Sequence, residues 1–490
     1  MSIASIQDSE KTAPVDKGSL PRFRKGVYLS AIVAAVGGFI SGYDTGAVSG
    51  ILTMPLFQTG FFSPDTMSYL QGLLLALFLM TGAIGGFISG YFCDRFSRKW
   101  TIIASAIMFC VGNLFEVIGY AYGLLLAGRL VAGLGCGLFT NAIPLYHSEI
   151  APPDIRGRLI SFFSLMVFFG QIVGYFVTFG TSYLTTDWSW RAPWLLQLLV
   201  CAIFAVSVVP FPYSPRWLID KGRHEEALQS LVFLRELPAD HPIVRDEYEE
   251  IRAELEFERS LGKRTYAELF APGNRKRFAA TAFIGVASAM TGNTAIWYYA
   301  PQTFSSAGLN SSSAGIAATG GTGILSFVAA AVSLQWCIDT WGRKTLFLGG
   351  SIIMTISMFV VGAMFYVYAD VNVETGVVQV SNDNARNTIL AFIYIFTATY
   401  ASTWSLAAFV YPAEILNMRT RAKGIAIGYG LNWAFSILVT YCVPLFMATT
   451  VSGVYFFFGA CCFLAIPGVL VLPETKGKTL EQMEYVFGAK

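Results

Sequence analysis

The sequence predicts an all-α membrane protein: twelve spanning helices in two six-helix halves joined by a charged helical linker. Three observations carry that prediction. The composition is too apolar for a chain in water, with 54% hydrophobic and 13% charged residues, against about 25% charged in an average soluble domain, and the mean hydropathy is +0.56. Twelve stretches are long enough to cross a bilayer core, which needs roughly 20 apolar residues per helix. The same pair of polar loops also recurs at matching places in the two halves.

Residues 1–26 are polar and read as a cytoplasmic tail. No cleavable leader is expected, because the first apolar run is long and follows Arg22, Arg24 and Lys25. Spans are expected at 27–51, 68–92, 101–121, 123–147, 158–183 and 192–211, giving a first half over 27–212. The second half, 279–472, has spans at 279–305, 314–338, 345–368, 388–411, 423–448 and 451–472, followed by a tail over 473–490. Small residues such as Gly82, Gly85, Gly86 and Gly90 in span 2 let helix backbones approach closely in lipid. Between the halves, residues 213–278 form a different kind of segment. Positions 213–277 hold 25 of the 64 charged residues, in mixed sign, and 242–264 read as a charged amphipathic helix.

Orientation follows from the short loops. One side carries Arg22, Arg24, Lys25, Arg95, Arg98, Lys99, Arg156, Arg158, Arg343, Lys344, Arg419, Arg421 and Lys423; the other carries only Arg191 and Arg386. Basic residues concentrate on the cytoplasmic side, so both termini are expected there, in the plasma membrane.

Several function classes are excluded. The eight Cys are scattered through apolar spans, which is not a disulfide framework. The three His lack metal-ligand spacing, and no nucleophile–base pair or phosphate loop is visible. No enzyme, metal, cofactor or nucleic-acid partner is expected; a net charge of +2 favours none. Asn310-Ser311-Ser312 is a glycosylation sequon in an expected outward loop.

Two charges inside the spans demand a reason. Asp44 sits in the Gly37–Gly46 stretch of span 1, and Arg129 lies in span 4. An intramembrane charge costs a few kcal/mol or more, roughly 3 by insertion scales, and usually faces a partner, a cavity or a proton path. The two are natural partners. A carboxylate beside a guanidinium stays ionised, and one that is separated from it takes a proton. Glu116 in span 3 is a third intramembrane acid, for which a polar helix–helix contact is the default reading.

The repeated loops carry a family resemblance. Gly90–Lys99 with Asp94 and Arg95 after span 2 is matched by Asp339-Thr340-Trp341-Gly342-Arg343-Lys344 after span 8. Pro144–Glu149 and Arg156-Gly157-Arg158 after span 4 are matched by Tyr411–Glu414 and Arg419–Gly424 after span 10. Ser214-Pro215-Arg216-Trp217-Leu218 and Pro473-Glu474-Thr475-Lys476-Gly477 complete the set. With these motifs in this order, the chain resembles the sugar porter branch of the major facilitator superfamily, over about residues 27–485, in wording closest to fungal members. One departure is Tyr213, where the family's P-E-S-P-R has its glutamate.

The resemblance implies a proton-coupled monosaccharide transporter working by alternating access, with a sugar and a proton as its partners, embedded in lipid and functional as a monomer. The alternatives are a facilitative uniporter or a non-transporting sensor on the same scaffold. An acid at Asp44 marks proton symporters in the family, with Arg129 as its partner. At the cytoplasmic mouth, Asp94, Arg95, Glu149, Arg156, Arg343, Glu414 and Arg421 are expected to form ion pairs between the halves that gate the inner opening. The expected substrate contacts are Ser164, Gln171, Ser288, Thr294, Tyr298, Phe409, Asn432 and Trp433. Several depart from the family: Ser164 and Ser288-Ala289 stand where it carries glutamines, and Thr294 where it carries asparagine, with Asn293 one residue away. Shorter side chains predict a substrate other than glucose, such as fructose, a pentose, a deoxy-sugar or a sugar acid. Trp297 and the aromatics at 455–458 are read as packing.

Overall fold

A computed structural model describes residues 25–476 apart from 64–65, 153–155, 261–265, 310–311, 372–377 and 417. Asn310 and most of the 473–490 tail therefore lie outside the described residues, as does the end of the predicted 242–264 helix.

The first half runs α1 Lys25–Ile51, a short α2 Pro55–Phe61, α3 Met67–Phe96, α4 Arg98–Ile118, α5 Tyr122–Ile150, α6 Arg156–Thr181 and α7 Trp188–Ser207. The linker supplies α8 Pro215–Asp220, α9 His224–Arg235, α10 Pro242–Ser260 and a 3-10 turn at Tyr266–Phe270. The second half runs α11 Arg275–Met290, α12 Asn293–Ser306, α13 Ser312–Val332, a π-turn Ser333–Cys337, α14 Ile338–Trp341 and α15 Arg343–Tyr368. After a small hairpin of β1 Ala369–Val371 and β2 Val378–Val380 come α16 Asp383–Ser402, α17 Trp404–Ile415, α18 Met418–Thr449 and α19 Val451–Val471. The antiparallel hairpin lies where the sequence gives only a loop.

Ten helices among the described residues are long and apolar enough to cross a membrane. Helix α1 adds a stretch of 27 residues. Two expected spans are not continuous helices. The span expected at 279–305 is α11 and α12, divided where Gly292 takes φ of +85°. The span expected at 388–411 is α16 and α17, divided at Thr403 (φ −120°, ψ −79°). Backbone groups freed at such breaks need partners in a dry interior. Here the Ser333 hydroxyl of the π-turn donates to the Ser402 carbonyl at 2.5 Å, so two irregular segments satisfy each other.

Helices within a half pack on small residues. A Cβ at Gly42 of α1 would collide with the Val167 carbonyl of α6, so glycine alone permits that approach. The halves meet from the hairpin end to the midplane. Gln302 Nε2 donates to Gln71 Oε1 at 3.2 Å, Tyr69 meets Tyr441 with ring centroids 6.2 Å apart, and Phe169 meets Phe327 at 6.1 Å.

Candidate functional site

Asp44 and Arg129 meet as the sequence predicts. Each is 1% exposed, and Arg129 Nη1 lies 3.0 Å from Asp44 Oδ1 and 2.9 Å from Oδ2. Gln197 of α7 donates its amide to Asp44 Oδ1 at 3.3 Å. The guanidinium also sits 5.2 Å from the Phe78 ring centroid and 5.5 Å from that of Trp194. Three helices and two aromatic faces thus hold a charge pair that neither water nor lipid reaches. Breaking such a pair strands a buried charge, so the contact is strongly enforced in this form.

Glu116 joins the same cluster. It is fully buried, and its Oε1 lies 3.2 Å from Arg129 Nε. The distance is that of an ion pair, yet neither Glu116 oxygen nor Arg129 Nε has an aligned hydrogen bond among the described residues. Proximity decides the electrostatics here, because charge–charge attraction depends weakly on angle. The polar helix–helix contact expected of Glu116 is found between α4 and α5, with Arg129 as its partner.

The expected substrate residues are spread over both halves, and of them Tyr298 comes within electrostatic range of Asp44. Gln171 of α6 is buried and donates to Tyr175 Oη at 2.7 Å, leaving its own Oε1 without a partner among the described residues. Tyr175 in turn donates to the Trp297 carbonyl across the halves at 3.0 Å. Ser288 Oγ lies 3.0 Å from Tyr400 Oη. Tyr298 of α12 is buried within electrostatic range of Asp44 and reaches Thr45 of α1. Trp433 is half-buried against α3, where a Cβ at Gly82 would touch it at 3.0 Å. Ser164 and Thr294 are half-buried. Asn432 is tied back, donating to the Gly285 carbonyl at 3.1 Å. Asn293 is fully buried while Thr294 is not, so Thr294 keeps the more accessible position. The Phe409 side chain lies outside the described part.

Reading the sequence alone misses Tyr175, Tyr400 and the bridging part of Trp297. Trp297 packs edge-on against Phe168 of the other half at 5.8 Å and against Tyr400 at 6.0 Å. A tyrosine or tryptophan in an apolar span gives no signal separating a bridge from core.

Among the described residues, ion pairs of the cytoplasmic motifs lie within each half. In the first, Arg98 Nη2 binds Glu149 Oε1 at 2.8 Å and Arg98 Nη1 lies 3.2 Å from Asp94. Arg95, expected in that place, is exposed beside the Phe96 ring. The helical turn explains the exchange: Ser97 at φ +89° starts α4, whose first residue Arg98 then points into the bundle. In the second half, Arg343 Nη2 binds Glu414 Oε1 at 2.8 Å. Glu474 caps the start of α15, accepting from the Arg343 and Lys344 amides at 2.9 and 3.0 Å. Side chains of Arg156 and Arg421 lie outside the described part. Tyr213 replaces the family's glutamate with a ring: the Lys99 ammonium sits 4.9 Å from its centroid and Arg223 at 5.4 Å. Its hydroxyl accepts from Trp100 Nε1 at 2.8 Å. A cation–π contact thus stands where a carboxylate would pair.

The many apolar spans, the buried charge pair of the first half and the broken helices of the second belong to a membrane transporter of the major facilitator fold. More particularly, the chain matches the family model described as "Sugar (and other) transporter" over residues 30–487, and it belongs to that family. It is 32% identical over 480 residues to a probable quinate permease of Aspergillus niger, covering 94% of this chain and 88% of the relative. Likewise it is 29% identical over 481 residues to the quinate permease of Neurospora africana, covering 95% and 89%. Among solved structures it resembles the inward-open xylose transporter XylE from E. coli, with TM-score 0.77, 24% identity, and coverage of 94% of this chain and 99% of that one. At that identity the likeness shows the fold. The relatives are permeases, and this chain is a transporter rather than an enzyme.

Proposed function

We propose that this protein is a proton-coupled importer of a monosaccharide, placed in the plasma membrane with the linker end and both termini inward, and working as a monomer. The observation that carries the reading is the buried Asp44–Arg129 pair, with Tyr298 of the opposite half within reach of Asp44. A substrate seated against Tyr298 and Gln171 bears on α12. Movement of α12 against α1 changes the surroundings of Asp44, and the separation of Asp44 from Arg129 admits a proton. Asp44 is then neutral when the halves rock, and ionised again when Arg129 returns. The Gln71–Gln302 and Tyr175–Trp297 bonds close the hairpin end in this form, and they must open to admit substrate from that side. The two intra-half clusters brace the linker-end loops while the halves move as bodies.

A second reading for the substrate is a hydroxylated ring carboxylate such as quinate. It is favoured by the quinate permeases among the relatives and by Ser288 and Ala289 standing where sugar porters carry amides. Loss of two amide partners weakens recognition of a sugar's hydroxyl pattern.

Radiolabelled uptake into proteoliposomes, over hexoses, pentoses, polyols, sugar acids and quinate, with and without an uncoupler, tests both parts. Concentrative, uncoupler-sensitive uptake of a monosaccharide supports the first reading, and the same behaviour with quinate alone supports the second. Equilibration without accumulation supports the uniporter, and binding without flux supports the sensor.

A further inference from the structure

Glu116 is a buried carboxylate that a two-residue coupling site does not require. It lies near the end of α4 and is 0% exposed. Its Oε1 faces Arg129 Nε at 3.2 Å, while Asp44 binds a different nitrogen, Nη1. Gly128 makes the room: a Cβ there would sit 2.7 Å from Glu116 Cγ. Around it, Asn113 (both amide atoms), Trp194 Nε1 and Gln197 Oε1 have no hydrogen-bond partner among the described residues.

The cluster thus holds two carboxylates and one guanidinium, each no more than 1% exposed. With all three ionised it carries one net negative charge in a low-dielectric interior. With Asp44 protonated it is neutral, because Glu116 still balances Arg129. Without Glu116 the order reverses: the ionised pair is neutral, and protonating Asp44 strands a buried cation, which is costly.

We infer that Glu116 is the standing counter-ion of Arg129, and that its charge is what allows Asp44 to take up the transported proton. The inference rests on the proton-coupled reading above. Other groups facing the cluster are Tyr43 on α1, Cys136 on α5 and Tyr298 on α12. Phe78 on α3 and Gln197 and Trp194 on α7 complete them, with Arg191 donating to the Val117 and Ile118 carbonyls at the end of α4. Of these only Arg191 is an acidic or basic residue. Glu116 is therefore a positioning residue for charge, acting through Arg129.

The test is the pH dependence of uncoupler-sensitive uptake in proteoliposomes, for wild type, Glu116→Gln and Glu116→Asp, each checked for monodispersity. Glu116→Gln shifts the pH of half-maximal uptake toward acid by about one unit, the smaller end of the range for one neighbouring charge. Glu116→Asp, whose carboxylate sits a methylene further from Arg129, shifts it less in the same direction. An unchanged midpoint in a well-folded variant of either kind overturns the inference. If the wild type itself is insensitive to uncoupler, the proton-coupled reading fails and this inference with it. If the wild type is coupled and the variants keep its midpoint, this inference alone fails.

Discussion

The two halves solve different problems with the same six-helix plan. In the first, Asp44, Glu116 and Arg129 are held by helices that run without interruption through α1, α4 and α5. In the second, ion pairs among the described residues lie at the linker end or on exposed side chains, as Arg343–Glu414 does with side chains 13% and 29% exposed, and the polar groups deeper in the bundle are mainly hydroxyls, amides and rings. Its helices are broken instead: at Gly292, at the π-turn 333–337 and at Thr403. Irregular backbone at membrane depth is tolerated only where protein or a cavity satisfies it, and it commonly marks substrate sites. Charge wants a fixed geometry, because a small displacement changes its energy steeply in a dry interior. Substrate selection and rocking want backbone that can move. On the proposed reading, coupling belongs to the first half, and the second supplies the more mobile backbone of a substrate surface that both halves share.

The largest effect belongs to Arg129→Leu. It strands Asp44 and Glu116, and removing one member of a buried ion pair costs about 3–5 kcal/mol. Folded yield and melting temperature, read by fluorescence-detected size exclusion, fall sharply; a stable, active variant breaks the division. Next is Gly292→Ala in the second half. An alanine at φ +85° costs about 1–2 kcal/mol in backbone strain, and its Cβ collides with the Phe458 ring. Uptake falls at least tenfold while the uncoupler still abolishes what remains, since the charge cluster is untouched. Gln171→Ala then raises KM roughly tenfold, about the worth of one or two hydrogen bonds, and leaves the pH profile where it was. Arg98→Ala, which unpairs Glu149 within its cluster, slows uptake and lowers melting temperature without altering which substrate is preferred. The smallest effect is that of Arg245→Ala in the linker: its pair with Asp240 is largely exposed, exposed pairs contribute little, and uptake is unchanged.

Much of this was legible in the sequence, for reasons of solvent. A bilayer forces apolar runs of fixed length, and intramembrane charges are rare enough to announce themselves, so the fold, Asp44 and Arg129 could be read directly. Helix breaks were harder. Ala289–Thr294 and Ser402–Trp404 are apolar or small enough to sit inside a continuous hydrophobic window, and only Gly292 hints at the left-handed turn. Arg98 and Arg95 differ by three positions in one basic loop, and which one turns inward depends on the positive φ of Ser97. Glu116 is visible in the sequence as an acid, but its partner is not, because the α4–α5 packing that brings it to Arg129 Nε is tertiary. The polar bridge from Gln171 through Tyr175 to Trp297 rests on tertiary geometry that no local pattern encodes.

On the proposed reading, Asp44 carries the proton that drives substrate in. The most direct measurement is simultaneous recording of internal pH and labelled substrate in proteoliposomes under an imposed proton gradient, for wild type and Asp44→Asn. The account predicts that wild type acidifies the lumen as it accumulates substrate, while Asp44→Asn does neither but still exchanges labelled for unlabelled substrate. Accumulation by Asp44→Asn, or accumulation by wild type with no accompanying proton, would contradict it.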